Sequence, residues 1–344
     1  MNGTSGRLAA FARWETLLAV FLVILIAIGA SISPVFLTGR NFANLISAVI
    51  EVAIMSLPMA LIIIAGEIDL SVESVVGLTA AVLGALYTAG APIELAIVVV
   101  LVVGALGGLL NGVLVTRVGL PSLVVTLGTL ALYRGLALVI LESKGVSGFP
   151  DWFTTLGFGN LPGLPIPWPF VIYLALALII GVVLHRTWVG RQIFAIGKNQ
   201  AAARFSGVRV ARIKLLLFVL SGTIAALAGT ILVARMSSAR ADVGSGLTLV
   251  VVTIVLLGGV DIFGGRGTIP GVVLAFFTLA VLGNVLRLAN VSSDIQSIAI
   301  GLLLIVSVVI PTLARRVKQA VDRTQGGRRL PAGPVGGPGE MVSP

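Results

Sequence analysis

The sequence contains no cysteine and a single histidine, His185. Disulfides, thiolate metal sites and a cysteine nucleophile are therefore excluded, and no histidine cluster can hold a metal. Charge is also scarce: 10% of the 344 residues are charged and 13 are acidic, against 58% hydrophobic residues and a mean hydropathy of +1.13. A chain with so little charge cannot cover a water-facing surface, and its composition assigns it to the membrane. The excess of 23 Lys/Arg over 13 Asp/Glu then reads as a topology signal and not as a footprint for nucleic acid.

Apolar segments long enough for helical spans recur along most of the chain. They lie near Thr16 to Leu37, Phe42 to Ala65, Ser74 to Ala89, Ile93 to Thr116, Pro121 to Leu141, Trp168 to Leu184, Leu215 to Ala234, Leu247 to Leu257, Thr268 to Leu286 and Ile295 to Leu313. The expectation is an all-α integral membrane protein with about ten transmembrane helices, the third and eighth short. The first segment is too long for a signal-peptide core and lacks a small-residue cleavage site, so it reads as a span. A cytoplasmic amino terminus puts 17 of the 23 basic residues on the cytoplasmic side; Arg40, Lys144, Arg235, Arg240 and Arg287 fall outside and Arg134 within a span. Both termini are thus expected in the cytoplasm. Residues 1–14 form a cytoplasmic segment, 15–313 the membrane domain, and 314–344 a basic, Gly/Pro-rich tail expected to be largely disordered.

Two connections stand out. The external segment 142–167 has four prolines and five glycines together with Trp152, Phe153 and Phe158, which suits a loop on the outer interface or a partner surface. The cytoplasmic segment 185–214 carries seven Lys/Arg and no acidic residue. Within it GRQIFAIGKN ends in Gly197-Lys198 as a nucleotide-cradling loop would, but Gln192 and Asn199 replace the required glycine and Ser/Thr.

Carboxylates near hydrocarbon are candidates for function by default. Glu67, Asp69 and Glu73 cluster in GEIDLSVE, where Asp69 or Ser71 can alternatively cap the third helix and Glu73 complement its dipole. Glu51 and Arg134, about 14 and 10 Å below the outer ends of their spans at 1.5 Å per residue, are expected to form a buried ion pair. Gly104, Gly108 and Gly112 share one helix face and predict close packing between spans; Asn111 beside them can bond across helices or line a cavity. Leu57 to Ser71 and Leu249 to Gly264 both end an apolar run in Gly-x-(Ile/Val)-Asp, which hints at an internal repeat of the kind found in transport proteins.

Residues 199–208, NQAAARFSGV, form an alanine-rich stretch with a glycine stop, followed by a span containing SGTIAALAG and then ARMSSA. This order, with GEIDLS at Gly66 to Ser71, LLNGVLVTRVGLPSLVVTLGT around Asn111 and LLGGVDIFGGRGTIPG at Leu256 to Gly271, resembles the permease subunits of sugar-class ABC importers over roughly residues 40 to 310. The resemblance implies two permease chains, identical or paralogous, in a bacterial inner membrane, two cytoplasmic ATPases carrying ATP and Mg, and an external sugar-binding protein. No cofactor is expected on this chain. It also implies that a short cytoplasmic helix enters a groove of the ATPase, which assigns coupling to Asn199, Gln200, Ala201, Ala202, Arg204, Ser206 and Gly207. Gln200 stands where the family commonly has Glu. Glu67, Asp69, Asn111 and Thr126 are the candidate path residues. Among substrates, the pattern looks closest to rhamnose permeases, with autoinducer-2-type and ribose-type sugars behind. A single-chain ion-coupled transporter using Glu51, Glu67 or Asp69 is the alternative.

Overall fold

The computed structural model describes residues 3–142, 144–307 and 309; the basic tail lies outside them. In chain order the helices are α1 (Gly3–Ile32), α2 (Gly39–Ser47), α3 (Ile50–Ile64), α4 (Val72–Thr88), α5 (Ile93–Val113), α6 (Ser122–Leu141), α7 (Asp151–Phe158), α8 (Trp168–Arg186), α9 (Trp188–Lys198), α10 (Gln200–Phe205), α11 (Val210–Met236), α12 (Leu247–Leu257), α13 (Ile269–Leu288) and α14 (Ser293–Ser307). α5 closes in a π-helical turn, Leu114–Val118. Two-residue strands, β1 (Val146–Ser147) and β2 (Ser238–Ala239), pair antiparallel.

Six helices are long and apolar enough to cross a bilayer: α1 from Trp14, α5 with its π turn, α6, α8, α11 and α13. α2 and α3 make a further span bent by 52°, and α4, α12 and α14 are shorter apolar helices. Each of the ten apolar segments therefore carries a helix among the described residues. α3 is buried along its whole length, as expected of a helix that is hydrophobic all round.

The glycine stripe packs as its spacing predicts. A β-carbon on Gly108 would lie 2.1 Å from the Phe218 carbonyl oxygen, and one on Gly222 would lie 2.1 Å from that of Gly104. α5 and α11 thus meet backbone to backbone, with the small Gly222 and Ala226 of α11 at the contact, while Gly229 packs against Thr79 of α4.

The two short spans have a common cause. α4 is preceded by the non-helical segment 65–71, and α12 by 237–246. The second of these runs down α4 from Gly84, which abuts Ala239, to Glu73, which abuts Gly244. Those eleven residues of α4 correspond to a descent of about 16 Å. Irregular backbone at that depth persists only where protein satisfies its polar groups. Arg134 of α6 does so, donating through Nη1 to the carbonyls of Ala241 (2.9 Å) and Val243 (3.2 Å). α12 consequently begins part-way down and faces the start of α4, where Glu73 Oε2 accepts from Thr248 N–H at 3.1 Å.

Three expectations are corrected here. Arg134 is not the partner of Glu51, because α6 packs on α4 whereas α3 packs on α11; Glu51 accepts instead from Arg235 Nε at 2.7 Å. The external segment is not wholly a loop. It folds into α7, whose Phe153 is buried and whose Gly157 would place a β-carbon 2.2 Å from the Arg235 amide nitrogen. Trp152 and Phe158 do remain exposed. The Gly-x-(Ile/Val)-Asp similarity is real but slipped by one residue. α3 and α12 each end in a Schellman turn, with the left-handed residue at Gly66 in one and Gly259 in the other, which pairs Gly66 with Gly259 and not with Gly258. Both aspartates accept the N–H two residues on, Asp69 from Ser71 and Asp261 from Phe263.

Candidate functional site

α10 is built by the local chemistry that its sequence encodes. Asn199 is the N-cap, its Oδ1 accepting from Ala202 N–H at 3.0 Å. At the other end Gly207 N–H donates to Arg204 O and Val208 N–H to Ala203 O, both at 3.0 Å. That Schellman stop needs a left-handed residue, and Gly207 supplies it at φ +81°. Ser206 Oγ bonds back to Ala202 O at 3.0 Å. Ala203 is the buried anchor, while Ala201, Ala202, Arg204, Ser206 and Gly207 are exposed. Phe205 is 93% exposed. That large apolar side chain held out from a six-residue helix was not singled out from the sequence, where an aromatic in this setting reads as core.

Gln200 turns inward. Its Oε1 accepts from Lys214 Nζ at 2.8 Å, and the same ammonium pairs with Glu67. Lys214 belongs to α11 and is 5% exposed. It is thus more than the topology charge that the sequence suggested. Glutamine retains the acceptor that the family's glutamate would have offered. Burial makes this pair consequential, since removing one partner strands the other charge.

The four candidate path residues do converge, all on segment 67–71, but as a closed network and not as the lining of an open passage. Asp69 accepts from Ser71 N–H (3.0 Å), Ser71 Oγ (2.6 Å) and Ser221 Oγ of α11 (2.8 Å). Asn111 of α5 donates to Ser71 Oγ at 2.8 Å. On α6, Ser122 Oγ accepts from Ile68 N–H at 3.2 Å, and the Thr126 hydroxyl sits 3.4 Å from Ile68 O while bonding Ser122 O at 2.8 Å. Asp69, Asn111 and Thr126 are 1% exposed or less. The carboxylates of GEIDLSVE are stabilised at this depth by hydroxyls, an ammonium and two helix starts: Asp69 serves α4 at Ser71, and Glu73 serves α12 at Thr248. Cross-helix bonding takes the place of side-chain capping: Ser71 stands at the N-cap position of α4, but its hydroxyl makes no cap bond and instead donates to Asp69 and accepts from Asn111.

One chain of contacts therefore runs from α10 through Gln200, Lys214 and Glu67 into a hub that touches α4, α5, α6, α11 and α12. Nearby, three glycine-bearing turns interlock: a β-carbon on Gly197 would lie 1.8 Å from Ile64 O, and Gly265 N–H donates to that carbonyl at 2.8 Å. Gly197 is a packing residue, which accounts for the false likeness of its segment to a nucleotide loop. His185 accepts at Nε2 from Ile269 N–H at 3.3 Å, at the start of α13. Among the described residues no group of three or more His, Cys, Asp or Glu is placed to hold a metal.

Comparison with known proteins identifies what this arrangement belongs to. Residues 41–308 match the family model described as branched-chain amino acid transport system / permease component. The chain is 37% identical over 302 residues to the autoinducer 2 import system permease protein LsrD of Yersinia enterocolitica, covering 86% of this chain and 91% of that one. It is 37% identical to the protein of that name from Photorhabdus laumondii (86% and 90% covered) and 38% identical to that of Escherichia coli K12 (86% and 91% covered). No solved structure matches it. With its multi-pass helical architecture, the chain belongs to this permease family, as the membrane-spanning subunit of an ABC importer of the bacterial inner membrane.

Proposed function

We propose that this chain forms, with a second permease chain, the path by which a small neutral sugar of the autoinducer-2 type crosses the inner membrane, driven by ATP and Mg on a separate ATPase and supplied by an external solute-binding protein. The observation that carries the coupling part is α10: a helix capped by Asn199, stopped by Gly207, presenting Phe205 outward and joined inward to Lys214. A helix of that shape fits a groove in a partner, with small Ala201 and Ala202 allowing close approach and Phe205 filling a pocket, while Arg204 supplies charge at the rim. ATP binding closes the ATPase pair and displaces α10. Lys214 and Glu67 pass that displacement to segment 67–71, whose bonds to five helices bias the membrane domain between outward and inward openings.

The relatives' names favour an autoinducer-2-type sugar over the rhamnose suggested by sequence pattern. Hydroxyl-rich cargo of either kind asks for the same hydrogen-bonding chemistry.

A photo-cross-linking amino acid placed at Phe205 tests the docking. In membranes containing the ATPase, the expected result is an adduct between the two chains whose yield changes when ATP is added. A Phe205 position that gives no ATPase adduct, while the complex still assembles, overturns the assignment of α10.

A further inference from the structure

A cavity of about 370 Å³ opens among α2, α3, the outer end of α11, the descending segment 237–246 and the start of α12. Its size falls within the roughly 300–1,000 Å³ usual for small-molecule sites. Glu51, Arg235, Arg240 and Asp242 line it, together with the apolar Val52 and Leu247. By the orientation that the basic residues set, it faces outward.

The charges are arranged as two pairs. Arg235 and Glu51 meet at 2.7 Å, and Glu51 is 3% exposed. Arg240 holds Asp242 through two bonds, Nε at 2.9 Å and Nη2 at 2.6 Å. Each carboxylate thus faces a guanidinium, and the lining holds two groups of each formal sign. The formal charge of the lining sums to zero. An anionic solute would meet Glu51 and Asp242, and a cationic one would meet the guanidiniums. A neutral polyol gains from both signs, because each hydroxyl can donate to a carboxylate while accepting from a guanidinium. Arg235 engages Glu51 through Nε alone, so that most of its five-donor fork remains for such a ligand. The backbone points the same way: an irregular, glycine-bearing segment and a helix that starts part-way down belong at membrane depth where they border a cavity.

We propose that this cleft is the entry site at which the permease itself holds a neutral polyhydroxylated solute, through Glu51, Arg235, Arg240 and Asp242. The site rests on the import reading above for its place in the cycle, but not for its chemistry.

Saturation-transfer NMR on the purified full chain in nanodiscs tests it, with millimolar D-ribose, D-rhamnose, ribose 5-phosphate and glucosamine as probes. Either neutral sugar is expected to show saturation transfer; the phosphate and the amine are not. Arg240→Gln and Asp242→Asn, both on exposed side chains and therefore harmless to the fold, are expected to weaken the sugar signal about tenfold, as is Arg235→Gln. Arg212→Gln, on an exposed side chain at the opposite face, is expected to leave it unchanged. Failure of both neutral sugars to bind the unaltered chain, equal binding of the charged analogues, or a sugar signal indifferent to all three cleft substitutions would overturn the proposal. None of these outcomes bears on whether α10 couples to an ATPase.

Discussion

Gly207→Pro is expected to abolish substrate-stimulated ATP hydrolysis in the reconstituted complex while leaving membrane insertion intact. Proline fixes φ near −65°, whereas Gly207 sits at +81° and donates its N–H to Arg204 O. Proline forbids the first and deletes the second, so the Schellman stop is lost and α10 no longer presents Phe205 and Arg204 as a unit. Gly207→Ala is expected to fall between, because a left-handed non-glycine residue costs roughly 1–2 kcal/mol. Basal hydrolysis by the ATPase should survive in both variants, since the proposed nucleotide site is on the separate ATPase chain. Ala202→Trp is expected to match the proline variant by a different route, by placing an indole on the exposed face that must dock closely. The decisive readout is the ratio of stimulated to basal hydrolysis, and a proline variant that retains the unaltered ratio contradicts the role of the helix.

Lys214→Met carries the second large effect. It leaves Glu67 partly buried without its cation and Gln200 without its donor. Breaking a buried pair by removing one member typically costs about 3–5 kcal/mol, so the thermal midpoint of the purified chain should fall. Uptake should fall at least about tenfold, which corresponds to 1.4 kcal/mol. The double variant Lys214→Met/Glu67→Gln separates stability from transmission. With the stranded carboxylate made neutral, the thermal midpoint should return most of the way, yet uptake should stay low because nothing joins Gln200 to segment 67–71. Recovery of both together would assign Lys214 a purely structural role.

How much of this was legible in the sequence differs by element. Segments whose physics is local were fully readable. Ten apolar runs became helical, the second as the bent pair α2 and α3, Asn199 and Gly207 marked the two ends of α10, and the four-residue spacing of Gly104, Gly108 and Gly112 gave the close-packing face of α5. Pairings across the fold were not readable. Glu51 and Arg134 lie at similar calculated depths, but depth does not say which helices are neighbours, and Arg235 stands 184 positions away from Glu51. Lys214 looked like one of seven loop cations because hydropathy places it at the edge of a span; only the fold shows that the edge is covered by Glu67 and Gln200. The shortness of the third and eighth spans was visible, whereas its reason was not: two irregular segments enter from opposite sides and end at helix starts that share Glu73. Phe205 gave no signal of exposure, since an aromatic beside alanines on a short helix ordinarily faces inward.

The central claim is that this chain moves its solute only when an ATPase works on α10, and uptake into proteoliposomes tests it most directly. Vesicles holding the permease chains, the ATPase and the solute-binding protein are expected to accumulate labelled autoinducer-2 when ATP and Mg are supplied on the ATPase side. Vesicles holding the permease alone are expected to accumulate none, whatever proton or sodium gradient is imposed. Gradient-driven accumulation by the permease alone, indifferent to ATP, would contradict the account and return Glu51, Glu67 and Asp69 to the role of an ion site.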